Sequence, residues 1–483
     1  FDNWIWGVVG YSGFNGTVGG KQLRFGQGIF RFKPDGSALE FVRSSNNNTW
    51  GLGLTEDNVI IGSTANGNAS MYMPIANRFY EVVNGWSASR LESIADSQRF
   101  YPITDKVRQV DWHGQYTAGS GSAIYTARHF PSHYWNRAQF VAEPTGHLLG
   151  LFFLDRRGAD FKAYNARNFA ASDDEWTAPI YAEVGPDGAL WMVDWYNYII
   201  QHNPTPIGFD TGKGNAYDTP LRDKTHGRIY RITHKSAPLG SGPEGGLSIA
   251  ETSGKSLVAS LSNDNLLWRL HAQRLLVERG RWDVTDDLHA LVRDESVDTL
   301  GLNPAAIHAL WSLQGLGLLD GSHPDSTDIA VNALKHPSAA VRKAAVNVLP
   351  RNEQGIQALL YAEMLKDSDA QVRLSSLLAI SDMPSQAEAG QAVLEMMQDT
   401  VNAEDAWIAD AATTAAARND AAFLQAALSG FKPTRNRSQS ENRDNLIQNP
   451  SFESERDGQP NRWRTSTHSG RGEFSLAHTG RTG

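Results

Sequence analysis

The most chemically loaded stretch of the chain lies between Trp176 and Arg231. A loop of about thirty residues separates two apolar runs there, and ordered loops of that length are usually functional. It carries Asp194, Tyr196, His202, Lys213, Arg222, Asp223, Lys224 and His226. A histidine such as His202 titrates near neutral pH and can take a proton from a hydroxyl. Asp194, at the end of the preceding run, can orient such a histidine or bind a cation such as Ca²⁺ together with carbonyl oxygens. A turn Asp that caps its own backbone is the plainer alternative. Arg222, Lys224 and Arg228 form a cationic cluster suited to a ligand with several carboxylates. The alternative is pairing with Asp218, Asp223 or the acidic run Asp173-Asp174-Glu175.

Three further segments can contribute. His113 sits between Trp112 and Gly114, three residues before Tyr116, and can act as a base or as a hydrogen-bonded loop residue. Glu143 and His147 flank a Pro-Thr-Gly turn, at a spacing that fits no metal motif. Trp176 can stack on a sugar face or pack in a core. There is no P-loop, dinucleotide fingerprint or Gly-x-Ser-x-Gly elbow.

The elements that must hold these residues are β-type over residues 1 to about 235. Trp4–Gly10, Gly28–Lys33, Leu39–Arg43, Trp50–Leu54, Val59–Gly62, Ala123–Thr126, Gln139–Ala142 and Leu148–Leu154 read as strands. Ile180–Val184, Ala189–Val193 and Gly227–Ile232 continue the series. Short strands at about 8–12-residue spacing mean a sandwich, barrel or propeller. The Pro-Asp-Gly turn occurs at Pro34 and again at Pro186, which favours propeller blades over a sandwich.

Residues 236–254 form a Gly/Pro/Ser-rich linker. From 255 to 432 the spacing becomes helical, with Asn263-Asp264-Asn265 as a helix start. A unit of Leu, polar break, Val-Arg and small apolar residues recurs around Val341 and Val372, 31 residues apart. This resembles a HEAT repeat, whose helix pairs stack into an α-solenoid. Arg342 and Arg373 are expected to contact neighbouring repeats. Residues 433–444 read as a second linker. Asn445–Gly483 resembles the first strands of a galactose-binding-like jelly roll, too short for its eight or so strands. The fold class expected is therefore multi-domain: a partial all-β propeller, a HEAT-repeat solenoid and the start of a β jelly roll.

The chain has 483 residues and a net charge of −9, which argues against a general nucleic-acid binder. It has no cysteine, so no disulfide framework, thiolate metal site or covalent haem attachment. It begins with Phe1 in what reads as the middle of a strand pattern. Upstream sequence, with early blades and any export signal, is expected to be missing.

Four segments carry a resemblance: Asp111–Pro131, Tyr134–Gly150, Ala171–Pro206 and Lys213–Ile232. With the helical region after them, they resemble the large secreted "membrane-bound dehydrogenase" family of quinoprotein-like propellers followed by HEAT repeats and often a haem c domain. More distantly they are similar to soluble glucose and sorbosone dehydrogenases. The resemblance implies oxidation of a sugar or related alcohol in the periplasm or outside the cell. It implies pyrroloquinoline quinone with Ca²⁺ as cofactor, and electrons passing to a haem c partner, since the Cys-x-x-Cys-His motif is absent here. It implies that His113, His202 and Asp194 serve catalysis, that Arg222, Lys224 and Arg228 hold the cofactor, and that Tyr116, Glu143, His147 and Trp176 meet the substrate. Protein partners would dock on the solenoid. The alternative is a non-catalytic carbohydrate-binding or scaffolding protein.

Overall fold

The computed structural model describes residues 1–201, 207–208, 210, 219–223, 225–235 and 252–429, with the backbone of two short strands at Glu455–Arg456 and Gln459–Pro460. It forms two units, Phe1–Ala427 and Leu428–Gly483. Of the second, the described part beyond residue 429 is the antiparallel pair Glu455–Arg456 with Gln459–Pro460, so the jelly-roll expectation and the 433–444 linker lie almost wholly outside the described residues.

The first unit opens with several antiparallel sheets. One is β1 (Ile5–Val9), β4 (Gly28–Phe32) and β5 (Leu39–Ser44), with the hairpin β2 (Phe14–Val18) and β3 (Lys21–Phe25) between β1 and β4. The next is β6 (Thr49–Leu54), β7 (Ile60–Thr64) and β8 (Met71–Tyr72). A short helix α1 (Asn77–Glu81) follows. The third sheet is β9 (Ser120–Ile124), β10 (Ala138–Glu143), β11 (Leu148–Arg157) and β12 (Asp160–Ala171). The fourth is β13 (Pro179–Val184), β14 (Leu190–Asp194) and β15 (Arg228–Ile232). The leading strands touch in succession: β1 with β6, β6 with β9, β9 with β13. Gly51 allows this closeness, because a Cβ there would lie 1.8 Å from the Gly121 carbonyl. The two Pro-Asp-Gly turns place Gly36 and Gly188 at positive φ, where a side chain would strain the backbone.

Apolar layers fill the gaps between successive sheets. Ile29 and Val42 meet Ile60 and Met71; Ile61 and Tyr72 meet Ile124 and Phe152; Phe140 and Leu151 meet Ala182 and Met192. A cavity of about 430 Å³ is lined by all four leading strands and closed by Leu266, Leu267 and Leu270.

Those leucines belong to the helical part. It contains α2 (Gly254–Ser260), α3 (Leu266–Arg279), α4 (Thr285–Arg293), α5 (Pro304–Gly315), α6 (Pro324–Asn332), α7 (Ala339–Val348), α8 (Glu353–Tyr361), α9 (Ala370–Ser381), α10 (Ala387–Met397), α11 (Thr400–Ala403), α12 (Ala406–Arg418) and α13 (Asp420–Ser429). Helices α3, α5, α7, α9 and α12 touch in turn and make one layer, while α4 meets α6 and α8 meets α10 in a second. Asn265 caps α3 by accepting from Leu267 N–H. Arg342 and Arg373 each hold carbonyls five and six residues upstream and reach forward, to Asp367 and to Asn402. No helix among the described residues is long and apolar enough to cross a membrane.

The helical stack is fastened to one end of the sheets. Leu266 N–H donates to Thr126 O, Asn265 Nδ2 to Gly185 O and Trp268 Nε1 to Pro186 O. At the centre, Glu56 and Arg269 are both fully buried and pair at 2.5 Å; Arg128 closes on the same carboxylate at 2.7 Å. Nearby, Arg156 joins buried Asp57 at 2.6 Å to Asp369 at 2.9 Å. Because antiparallel strands alternate in direction, the other described connections gather at the opposite end: residues 10–27, 45–48, 65–68, 111–119, 143–147, 172–178, 195–201 and 225–227. We call this the loop end.

Two outcomes follow. Arg269→Ala, which leaves Glu56 buried beside a lost partner, should destabilise the chain by about 3–5 kcal/mol in denaturant unfolding. Burial alone would raise the Asp57 carboxyl, but Arg156, Lys343, Thr55 and Asn136 together hold it below the usual carboxylate range. A depressed carboxylate stabilises fully above its unfolded pKa of about 3.9 and loses that effect as pH falls below it. The stability gap between the wild type and Asp57→Asn should therefore be largest at neutral pH and shrink below about pH 4.

Candidate functional site

The fourth sheet ends in a charged and aromatic cluster. Asp194, the last residue of β14, stands in register with Arg228, the first of β15. Its Oδ1 accepts from Ala178 N–H at 2.7 Å and Tyr196 N–H at 2.8 Å. That is the capping role, and it holds Tyr196 at φ 53, a left-handed conformation costly for an aromatic residue. Asp194 Oδ2 is buried without a hydrogen bond, 4.0 Å from the Arg228 guanidinium. Arg228 lies over the Tyr196 ring at 3.7 Å and bonds Asp174 at 3.3 Å and the Tyr230 hydroxyl at 3.3 Å. The Tyr230 bond, with the neighbouring Tyr196 and Asp174, raises its already high pKa. Trp176 packs against both Tyr196 and Tyr198, each at 5.9 Å.

A second pair stands beside this one. His226 Nδ1 bonds Asp223 Oδ2, and its ring meets the edge of Tyr196 at 6.4 Å. Bonds from the Thr225 N–H and hydroxyl, with His226, hold the half-buried Asp223 carboxyl well below its usual range. An ionised Asp on Nδ1 leaves Nε2 as the proton-accepting atom, the orientation a general base requires. A cleft of about 370 Å³ runs from Tyr230 along Met192, Phe169, Ser172 and Thr177 to His147.

The sequence-predicted residues thus separate. Asp194, Arg228 and Trp176 come together, and the acidic run supplies Arg228 with a partner, as its plainer reading expected. His147 lines the cleft wall, with its ring nitrogens on Thr177 O at 2.7 Å and Lys106 O at 3.1 Å. His113 is exposed on a turn. Its segment is tied to the site's border, where Arg108 holds Gln201 O and Gln201 holds Val110 N–H and Asp111. Arg222 is half-buried on the 219–223 turn. His202 and Lys224 lie outside the described residues.

Two expectations are corrected. Tyr116 is in the core against Phe100 and Phe152, with burial raising its hydroxyl pKa, so it cannot present that group to a substrate. Glu143 is fully buried and binds the 117–118 segment through two backbone N–H groups at 2.9 and 3.0 Å, with Thr145 beside it. Burial raises its pKa against those bonds. The sequence reading had no role for Tyr198 or Tyr230, although Tyr230 follows Arg228 at the two-residue strand spacing that puts both on one face. None of the predicted residues that are described lines the cavity at the leading strands.

Asp194→Ala should leave the Ala178 and Tyr196 N–H groups without their acceptor. A loss of about 1–3 kcal/mol per buried donor is expected in thermal or denaturant unfolding, with weaker packing of Trp176 on Tyr196 visible as a change in near-ultraviolet circular dichroism.

A domain-family model described as a domain of unknown function, DUF7133, matches residues 1–236. No curated protein matches the chain. Among solved structures, a Thermus thermophilus oxidoreductase described as a glucose dehydrogenase is 14% identical with a TM-score of 0.25, over 42% of this chain and 54% of that one. The pyrroloquinoline-quinone-bound aldose sugar dehydrogenase of Streptomyces coelicolor is 17% identical with a TM-score of 0.23, over 44% and 56%. The soluble aldose sugar dehydrogenase of Escherichia coli, in its apo form, is 14% identical with a TM-score of 0.25, over 40% and 59%. The chain therefore spans a little over half the length of each of these proteins.

Proposed function

We propose that the sheets are blades of a quinoprotein-like propeller, the helices a HEAT-type solenoid, and the loop end the site of an extracytoplasmic sugar or alcohol dehydrogenase. One observation carries this reading: the Asp223–His226 pair, the Arg228 cation and the Trp176–Tyr196–Tyr198 aromatic group form a single cluster at the end of the fourth sheet.

Pyrroloquinoline quinone is a planar ring system carrying carboxylates. The aromatic group would take its face and Arg228 one carboxylate, in competition with Asp174. Among the described residues no group of three or more His, Asp or Glu side chains could hold a metal ion, so any Ca²⁺ would rely on carbonyl oxygens or on residues beyond these. When bound, the quinone supplies a two-electron acceptor for an alcohol carbon. His226 Nε2 then takes the hydroxyl proton, and Asp223 stabilises the imidazolium that results. Electrons would leave through a separate haem c protein, and the solenoid surface would hold protein partners. The half-buried aromatic group also suits a second reading, a carbohydrate-binding protein without turnover.

The chain reconstituted with pyrroloquinoline quinone and Ca²⁺ should show a cofactor absorbance shift and reduce dye with members of an aldose and alcohol panel. His226→Gln should lower kcat by about 100-fold or more. Arg228→Ala should weaken cofactor binding by about tenfold, the loss of one charge-assisted contact. Absence of both shift and turnover, with retention on a glycan array, would establish the second reading instead.

A further inference from the structure

Away from the fourth sheet, the loop end presents two large aromatic side chains to water. Tyr11, after β1, is 63% exposed and Trp112, before β9, is 46% exposed. Neither ring meets another ring or a cation among the described residues. Both are nonetheless fixed in place. Tyr11 donates its N–H to Asn48 Oδ1 at 2.8 Å and its hydroxyl to Asn47 Oδ1 at 2.7 Å. Trp112 keeps a left-handed backbone at φ 49, costly for so bulky a residue. Its indole packs on Gly67, where a Cβ would lie 2.6 Å from the ring.

The 45–48 and 65–68 loops lie side by side between these two anchors. Ala65 N–H donates to Asn48 O at 2.7 Å, and Asn68 Nδ2 to Asn46 Oδ1 at 3.0 Å. The Nδ2 groups of Asn46, Asn47 and Asn48 donate to no partner among the described residues. Asn46 is exposed, and the amides of Asn47 and Asn48 are not sealed from water. The surface thus offers amide donors between two rigid, open ring faces.

Its composition narrows the partner. Segments 10–13, 45–48 and 65–68 contain no charged residue and no Leu, Ile, Val or Met. Asp111, beside Trp112, is occupied by Gln201. Without cations the surface does not suit a nucleic acid or an acidic polymer. Without Met, Arg or aliphatic neighbours it does not resemble the core of a protein interface. A sugar has both properties that remain to be matched: an apolar C–H face for an aromatic ring and hydroxyl oxygens for amide donors.

From these residues we infer that the surface binds a neutral polysaccharide chain. Sugar rings rest on Tyr11 and Trp112, and hydroxyls between them accept from the amides of Asn46, Asn47 and Asn48. The surface stands apart from the Trp176 group and needs neither cofactor nor turnover at the fourth sheet.

Native electrophoresis of the full chain in gels cast with galactomannan, xyloglucan or mixed-linkage glucan tests this, with alginate as the anionic polymer. At least one neutral polymer should retard the chain, alginate should not, and added salt should leave the retardation unchanged. Tyr11→Ala and Trp112→Gly should each weaken binding by about tenfold. The glycine suits the left-handed backbone, and neither substitution opens a buried core; circular dichroism checks that each variant folds. Trp176→Ala should be retarded as the wild type is. The inference is overturned if no neutral polymer retards the chain, if alginate retards it equally, or if both ring variants bind as the wild type does. In that last case, loss of retardation in Trp176→Ala would move the glycan site to the fourth sheet.

Discussion

The buried pairing of Glu56 with Arg269, closed by Arg128, is the constraint on which the arrangement of the first unit depends. Glu56 belongs to a turn between two strands; Arg269 belongs to the helix whose leucines close the cavity at the leading strands. Two ions taken out of water carry a large desolvation cost, so this contact contributes less to net stability than to uniqueness: any other docking of α3 would strand a charge. Polar bonds from Asn265 and Trp268 to the Gly185-Pro186 turn, and from Gln371 to Tyr72 and Ala159, repeat the fastening along the sheets.

Antiparallel alternation then divides the labour. The connections at Glu56, Thr126 and Gly185-Pro186 are held by bonds to the helices, while those at the other end join strands away from that junction. The two ends also differ in how they handle charge. At the helical end, Glu56, Asp57, Arg128 and Arg269 are largely removed from water and matched, with Arg156 reaching Asp57 from a more exposed position. At the loop end, Arg228, Asp174, Asp223 and His226 are partly or largely exposed, and aromatic rings take the place of a dry core. The strained backbones of Tyr196 and of Trp112, which packs on Gly67, both occur there. Backbone strain is retained where surrounding contacts over-determine it, and Asp194 supplies that over-determination for Tyr196.

Local chemistry was legible in the sequence. Period-two alternation marked β4, β5 and β15, and short runs between Gly and Asn turns marked strands such as β7, β9 and β10, which are buried throughout. The two Pro-Asp-Gly turns and the Asn265 cap needed only nearby residues to be read, and the forward reach of Arg342 and Arg373 needed only the repeat. Strand β12 was missed because its polar outer half, Asn165 to Asn168, hides the alternation; it is an edge strand with few neighbours to satisfy. The β2–β3 hairpin was missed for the same reason, its faces being largely exposed.

What the sequence by itself determined, then, was where strands, turns and helices fall and that polar side chains crowd the stretch after β14. Only the tertiary structure decided which of them meet. Glu143 and Tyr116 carry reactive groups, yet a fold that buries them uses one as a backbone clamp and the other as packing. Tyr230 looked like a strand residue and became a neighbour of Arg228. The physical reason is the same in each case: a side chain's chemistry depends on how much water it keeps and which charges face it, and both are set by segments far away in the chain.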